Sequence, residues 1–170
     1  MLLYHGSNTV VESPDVNYSR VNLDFGLGFY LTSHFKQAKN WAIRKKRFEQ
    51  GEPVVNVYEI KDSAFEKYCV KRFEAENKEW LEYVANNRNG TIKSDAFDAV
   101  FGPVANDRVF EAVTMYLDEL WDADTTLRAL KYYKLNDQWC FKNQELIDNN
   151  LHFLEVRVLD RANGNNKKDN

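Results

Sequence analysis

Cysteine is scarce in this chain. Cys69 and Cys140 are the only two among 170 residues, far apart and with no CxxC spacing. Both stand among apolar neighbours and read as reduced, buried side chains of a cytosolic protein. His34 and His152 lack ligand partners at regular spacing, so no metal site is expected. No run approaches the roughly 18 apolar residues that a membrane span needs, so no membrane partner is expected. Met1-Leu2-Leu3-Tyr4-His5 lacks a basic segment followed by a long apolar stretch and does not read as a secretory signal, which leaves a cytoplasmic placement. There is no Walker A motif and no GxGxxG opening a helix after a strand; Gly26-Leu27-Gly28 fits neither. Positive charge is not in excess either. A net charge of −3 and a pI near 5.7 give no general basic field to attract nucleic acid.

Apolar residues make up 44% of the chain and charged residues 29%, the balance of a globular domain with a real core. The aromatic share of 14% is rich, and a surplus of Tyr and Trp suits the gripping of flat ligands. A local basic run, Arg44-Lys45-Lys46-Arg47, reads as a solvated helix face, although such a run can also touch phosphates. No linker or internal repeat divides residues 1–160, which read as one domain. Arg161 to Asn170 is almost wholly polar and reads as a disordered tail.

Met1–His5 reads as a strand opening onto Gly6-Ser7, and a polar loop covers Asn8–Asp24. Phe25–Thr32 is an aromatic strand-like run. Ser33 caps a helix to about Gln50, which Gly51 and Pro53 terminate. Further strands are expected at Val54–Ile60, Lys67–Phe73, Phe97–Val104, Gln138–Phe141 and Leu151–Leu159. Helices are expected at Asn77–Asn87, with Trp80, Leu81 and Val84 on one stripe, and at Val109–Leu120, Thr125–Tyr132 and Asn143–Asn149. Strands and helices mix without strict βαβ alternation, which predicts an α+β fold.

Three pieces bear on chemistry. A strand-end histidine followed by glycine, Tyr4-His5-Gly6-Ser7, can aim one ring at a ligand beside bare backbone amide and carbonyl groups. Taken alone it reads as a satisfied histidine beside a turn. Tyr30 ends a glycine-rich strand, and Trp41 follows eleven residues later on a helix. That spacing can bring two rings to face one another across a slot, which suits a cationic aromatic such as nicotinamide; an isolated pair of this kind reads more readily as core packing. Asn136-Asp137-Gln138-Trp139-Cys140-Phe141 marks the start of an apolar strand.

In order and spacing these pieces resemble the ADP-ribosyltransferase superfamily, in its diphtheria-toxin and poly-ADP-ribose-polymerase branch. There a His-Gly on the first strand precedes Gly-x-Gly-aromatic-Tyr and a second aromatic eleven residues on, here His5-Gly6, Gly26-Leu27-Gly28-Phe29-Tyr30 and Trp41. Leu3–Ser7, Asp24–Thr32, Gln37-Ala38 with Trp41-Ala42, and Phe101–Asp107 are also similar to a bacterial family within it. The resemblance implies a split β-sandwich with flanking helices, NAD bound as substrate and no metal. His5 would hydrogen-bond the adenosine ribose, the Gly6 backbone would hold the carboxamide with support from Ser7, and Tyr30 and Trp41 would sandwich the nicotinamide. Arg20 is a candidate for the pyrophosphate and Asp24 for bracing the loop, or each is a surface charge.

The family's late-strand glutamate falls on Gln138. Breaking the ribose–nicotinamide bond passes through an oxocarbenium-like state, and a carboxylate beside it stabilises the charge. Glutamine keeps the hydrogen bonds without the charge. Asp137, Asp107 or the substrate itself would have to compensate, and Asp107 reads equally as a helix cap before Val109. The expectation is a mono-ADP-ribosyltransferase with catalytic His5, Tyr30 and Gln138, acting on an acceptor that is a protein in preference to nucleic acid. The alternatives are a noncatalytic NAD or ADP-ribose-binding module and a toxin held by a small antitoxin-like partner protein.

Overall fold

The computed structural model describes residues 1–92, 95–104, 107–130 and 136–159, so the polar tail and Tyr132 lie outside the described residues. The fold is α+β, built on two sheets. The first holds β1 (Leu2–Ser7), β3 (Val54–Glu59) and β7 (His152–Val158) in the order β1-β3-β7. The second holds β2 (Phe29–Leu31), β4 (Val70–Arg72), β5 (Ala99–Pro103) and β6 (Asp137–Phe141) in the order β2-β6-β5-β4. One backbone bridge, Tyr4 to Thr32, ties the two sheets together.

Alternation of side chains along each strand sorts the apolar residues into two cores. Leu3, Leu31, Tyr58, Trp139 and Phe141 pack with Leu146 and Ile147 of α5 (Gln144–Asn150) in one cluster, between residues of both sheets. The opposite parity of the second sheet, Val100 and Cys140, packs under α2 (Lys78–Arg88), α3 (Asp107–Leu117) and α4 (Ala123–Leu130) through Trp80, Leu81, Val84, Val113 and Leu130. The stripe expected on α2 is this buried face, and Asn77 caps that helix by accepting the Trp80 amide.

The aromatic run at Phe25–Thr32 is shorter as a strand than its composition predicts. Gly26 takes φ 79°, so Phe25–Gly28 turns and only Phe29–Leu31 extends. The predicted strand at Lys67–Phe73 likewise shrinks to β4, behind a short 3-10 helix at Asp62–Lys67. Helix α1 (Phe35–Phe48) begins after His34 rather than Ser33, because the Ser33 amide and hydroxyl both go to the Asp137 carboxylate. Cys140 is buried as expected, whereas Cys69 is exposed.

Helix α1 lies against β1 at Gly6. A Cβ there would fall onto the Ala38 carbonyl, with Ala42 N only 2.9 Å away. Both obstacles are helix backbone, which cannot swing aside as a side chain can. Gly6→Ala is expected to push α1 off β1 and cost about 3 kcal/mol or more. A thermal melt indistinguishable from wild type would rule out this close packing.

Candidate functional site

His5 and Tyr30 meet through the backbone. The His5 ring, tilted against Phe29 with centroids 4.6 Å apart, places Nδ1 2.7 Å from the Tyr30 carbonyl. A carbonyl only accepts, so Nδ1 carries the proton and Nε2 keeps a lone pair. Burial lowers the pKa of this histidine to about 4, with the neighbouring Lys45 ammonium pushing the same way against the Tyr30 bond. The ring is therefore neutral near pH 7.

The same hydrogen bond explains why the sheets separate here. Tyr4 N and O both bond Thr32, and strand alternation turns the Gly6 amide and carbonyl to that same edge, away from β3. A continued ladder would pair Gly6 with Tyr30. The His5 ring takes the Tyr30 carbonyl instead, wedging β1 from β2 and leaving the Gly6 backbone donor and acceptor at the opening.

Helix α1 covers the place where β1 and β2 part. Ala38 and Ala42 rest on Gly6, and Trp41 lies on the inward arc of the helix between Gln37 and Lys45, yet is 49% exposed. The Trp41 ring is half bare on the flank of α1. Arg44 covers one side of it, 5.3 Å from the ring centroid. Lys45, one turn beyond Trp41, is half-buried beside His5.

Tyr30 is held firmly. Its hydroxyl donates to the Gly26 carbonyl at 2.7 Å and accepts the Phe25 amide at 3.1 Å, and its ring packs on the second core. Burial raises the phenol well above its usual range. The ring is thus fixed by the turn that precedes its own strand.

Gln138 is 7% exposed and shares the sheet face of Tyr30 and Cys140. Its Nε2 donates to Asp24 Oδ2 at 3.2 Å; the acceptor is a carboxylate, which fixes the amide orientation. Asp24 Oδ1 in turn takes Arg88 Nε at 2.9 Å and Nη2 at 2.6 Å, with both side chains largely buried. A carboxylate therefore stands one amide away from the position where the resemblance expects one, with its charge answered by a guanidinium. Asp24 braces the glycine-rich turn, as one of its two readings foresaw.

The remaining expected residues lie elsewhere. Asp137 cannot replace the glutamate, because its carboxylate holds Thr32 Oγ1 at 3.0 Å and the Ser33 amide at 2.9 Å at the start of α1. A negative charge is favourable at that helix terminus. Arg20 is a surface side chain, 87% exposed and 3.8 Å from Glu49. Ser7 is buried, and its hydroxyl accepts the Thr9 amide at 3.4 Å in the turn after β1. Asp107 opens α3 as its first residue instead of capping it, and its side chain lies outside the described residues. No cluster of metal-ligating side chains occurs among the described residues. A separate groove of about 450 Å³, between α2 and the turn after α3, contains none of these groups.

Arg88 was missed in the sequence, and Lys45 was named only within the basic run that reads as a solvated helix face. Arg88 lies 64 residues from its partner and gives no local signal. Lys45 was legible in principle, since four residues beyond Trp41 on a helix is the same face.

The His5 shift has a measurable consequence. The unfolded chain binds its proton near pH 6.5 and the folded chain only near 4, so stabilisation is complete above 6.5 and drains away as pH falls towards 4. The loss is expected to be on the order of 2–3 kcal/mol. Urea unfolding of wild type and His5→Gln at about pH 7.5 and 4.5 measures it, since only wild type carries this increment.

Neither a curated protein nor a solved structure matched the chain. The family model described as "Protein of unknown function (DUF3990)" matches residues 1–153, and the chain belongs to that family.

Proposed function

We propose that the chain binds NAD where β1 leaves β2 and transfers its ADP-ribose to an acceptor, releasing nicotinamide. The observation that carries this reading is the His5 wedge, which opens the Gly6 backbone beside a half-bare Trp41. A carboxamide needs one donor and one acceptor side by side, and a strand edge supplies that pair. Trp41 and Tyr30 supply ring faces for the nicotinamide. The unprotonated Nε2 of His5 accepts from a ribose hydroxyl. Lys45, rather than Arg20, is the cation placed for the diphosphate.

In the reaction the bond between the ribose C1′ and the nicotinamide nitrogen breaks. The bonding pair leaves with the nitrogen, which neutralises the pyridinium, and positive charge develops on the ribose. Gln138 offers its amide oxygen to the ribose hydroxyls, while its nitrogen stays on Asp24. The acceptor's lone pair then closes on C1′, and its proton passes to solvent. Positioning carries much of the rate, because the leaving group needs no protonation.

The buried Gln138–Asp24–Arg88 arrangement also favours a second reading, a module that binds NAD or ADP-ribose without turnover. Charge held in an ion pair stabilises an oxocarbenium less than a bare carboxylate does. Incubation with NAD labelled in the nicotinamide separates the two. Released label that disappears in His5→Ala supports transfer or hydrolysis. Tight calorimetric binding without release supports the module, and neither binding nor release rejects both.

A further inference from the structure

Strand β7 ends the first sheet on one side, with β3 as its single strand neighbour. The Leu159 amide donates to the Pro53 carbonyl at 2.9 Å, so residue 159 turns its backbone towards β3. Alternation then points the backbone of Arg157 and Glu155 the same way, and that of Val156 and Val158 outward. Among the described residues no hydrogen bond reaches those outward amides and carbonyls. The opposite edge of the sheet is engaged, since Tyr4 of β1 bonds Thr32. An edge with free donors and acceptors is a template for a further strand.

The side chains on this edge complement themselves. Arg157 pairs with Val55 and Glu155 with Val57, which puts both charges on the sheet face that α1 covers at Gly6. Arg157 is already held there, 5.4 Å over the Phe35 ring and 2.6 Å from the Glu155 carboxylate, with both side chains about half exposed. Consider a second β7 laid antiparallel about a twofold axis at Val156. The outward amide and carbonyl of Val156 then bond their own counterparts. Glu155 of each chain falls opposite Arg157 of the other, at positions where cross-strand side chains approach most closely. Four charges alternate in sign around a square. Leu154, 50% exposed, and Val158, 62% exposed, meet across the two ends. An axis at Glu155 or Arg157 would instead set like charges face to face, and one at Val158 would run off the end of the strand.

We infer that the chain pairs with a second copy of itself through β7, with Val156 on the twofold axis. The two three-stranded sheets become one of six strands, in the order β1-β3-β7-β7-β3-β1. Any extended strand could reach the outward backbone groups, but the alternating square of charge belongs to a second copy in this one register. The two β1 strands lie at the outer edges, about 24 Å apart over five steps of ~4.8 Å. The contact therefore leaves the opening assigned to NAD uncovered and does not depend on that reading.

Sedimentation equilibrium of the full chain over about 5–1,000 µM tests the contact, since so small an interface is expected to be half formed on the order of 100 µM. A monomer throughout that range overturns it. Val156→Pro removes the outward N–H at the axis without touching the β3 ladder, and should weaken the dimer at least about tenfold. Glu155→Arg and Arg157→Glu each turn both cross-strand pairs into like charges, and each should weaken it by about tenfold or more. Mixed in equal amounts, those two variants restore opposite charges at both pairs. The mixture should form a heterodimer within about threefold of the wild-type affinity. A variant that merely misfolds cannot be rescued in this way. Charge-reversed variants that dimerise as well as wild type, a mixture no more associated than its components, or a dimer indifferent to Val156→Pro overturns the inference.

Discussion

Asp24→Ala is expected to lower the melting temperature by about 6–20 °C. The carboxylate takes two guanidinium nitrogens of Arg88, with both side chains largely out of water. Removing one partner of a buried ion pair costs about 3–5 kcal/mol, chiefly because the other charge stays desolvated. For a chain of this length each kcal/mol moves the melting point by about 2–4 °C. Asp24→Asn retains the shape and part of the hydrogen bonding, so its loss should be smaller. The double replacement Asp24→Leu with Arg88→Met should regain most of the stability, since an apolar pair of similar volume avoids the desolvation. It should not regain NAD turnover, because Gln138 loses the acceptor that orients its amide. A melt of Asp24→Ala within 2 °C of wild type, measured by calorimetry, would show the pair to be solvated and the proposed brace to be absent.

How far the sequence disclosed this site depends on the range of each interaction. Alternation and β-branching placed β3 within one residue, and the apolar stripe of Trp80, Leu81 and Val84 placed α2 within about one residue. Those are local signals, set by neighbours along the chain. The Phe25–Thr32 run misled because aromatic content outweighed the glycines, and the positive φ at Gly26 turns the chain before the strand begins. Ser33 misled for a different reason. Its side chain has a stronger partner in Asp137, 104 residues away, than in the helix it precedes. Nothing near Ser33 announces that competitor.

The site follows the same division. His5-Gly6 and the Tyr30-to-Trp41 spacing were legible because each is a short motif. The role of Gly6 was only half visible: the residue carries both a free strand edge and the closest approach of α1 to β1. Gln138 was read as a loss of charge. In three dimensions a carboxylate stands beside it in Asp24, which the sequence offered as a brace for its loop or as a surface charge. The pairing across 114 residues that converts one role into the other has no sequence signature.

His5→Ala is expected to reduce nicotinamide release by a factor of about 10²–10³, the effect of deleting one preorganised polar group at a reacting centre. Two losses combine in that number. The ribose hydroxyl loses Nε2 as its acceptor, and the Tyr30 carbonyl loses Nδ1–H as its donor. The second loss also acts on the fold, at about 1–3 kcal/mol for a largely buried carbonyl left without a protein partner. His5→Gln separates the two, because its amide presents a donor and an acceptor at opposite ends. That variant should melt close to wild type and recover turnover to within about tenfold. A purely structural histidine would give a different pattern, in which stability and turnover recover together and NAD affinity never changes. Between about pH 8 and 6 the rate of the wild-type protein should show no inflection from His5, whose ring remains neutral down to about 4. An essential ionisation near 6.5 that vanishes in His5→Gln would mean that the working form is the imidazolium. The ring would then donate to the ribose instead of accepting, and the tautomer fixed by the Tyr30 carbonyl would lose its role in binding.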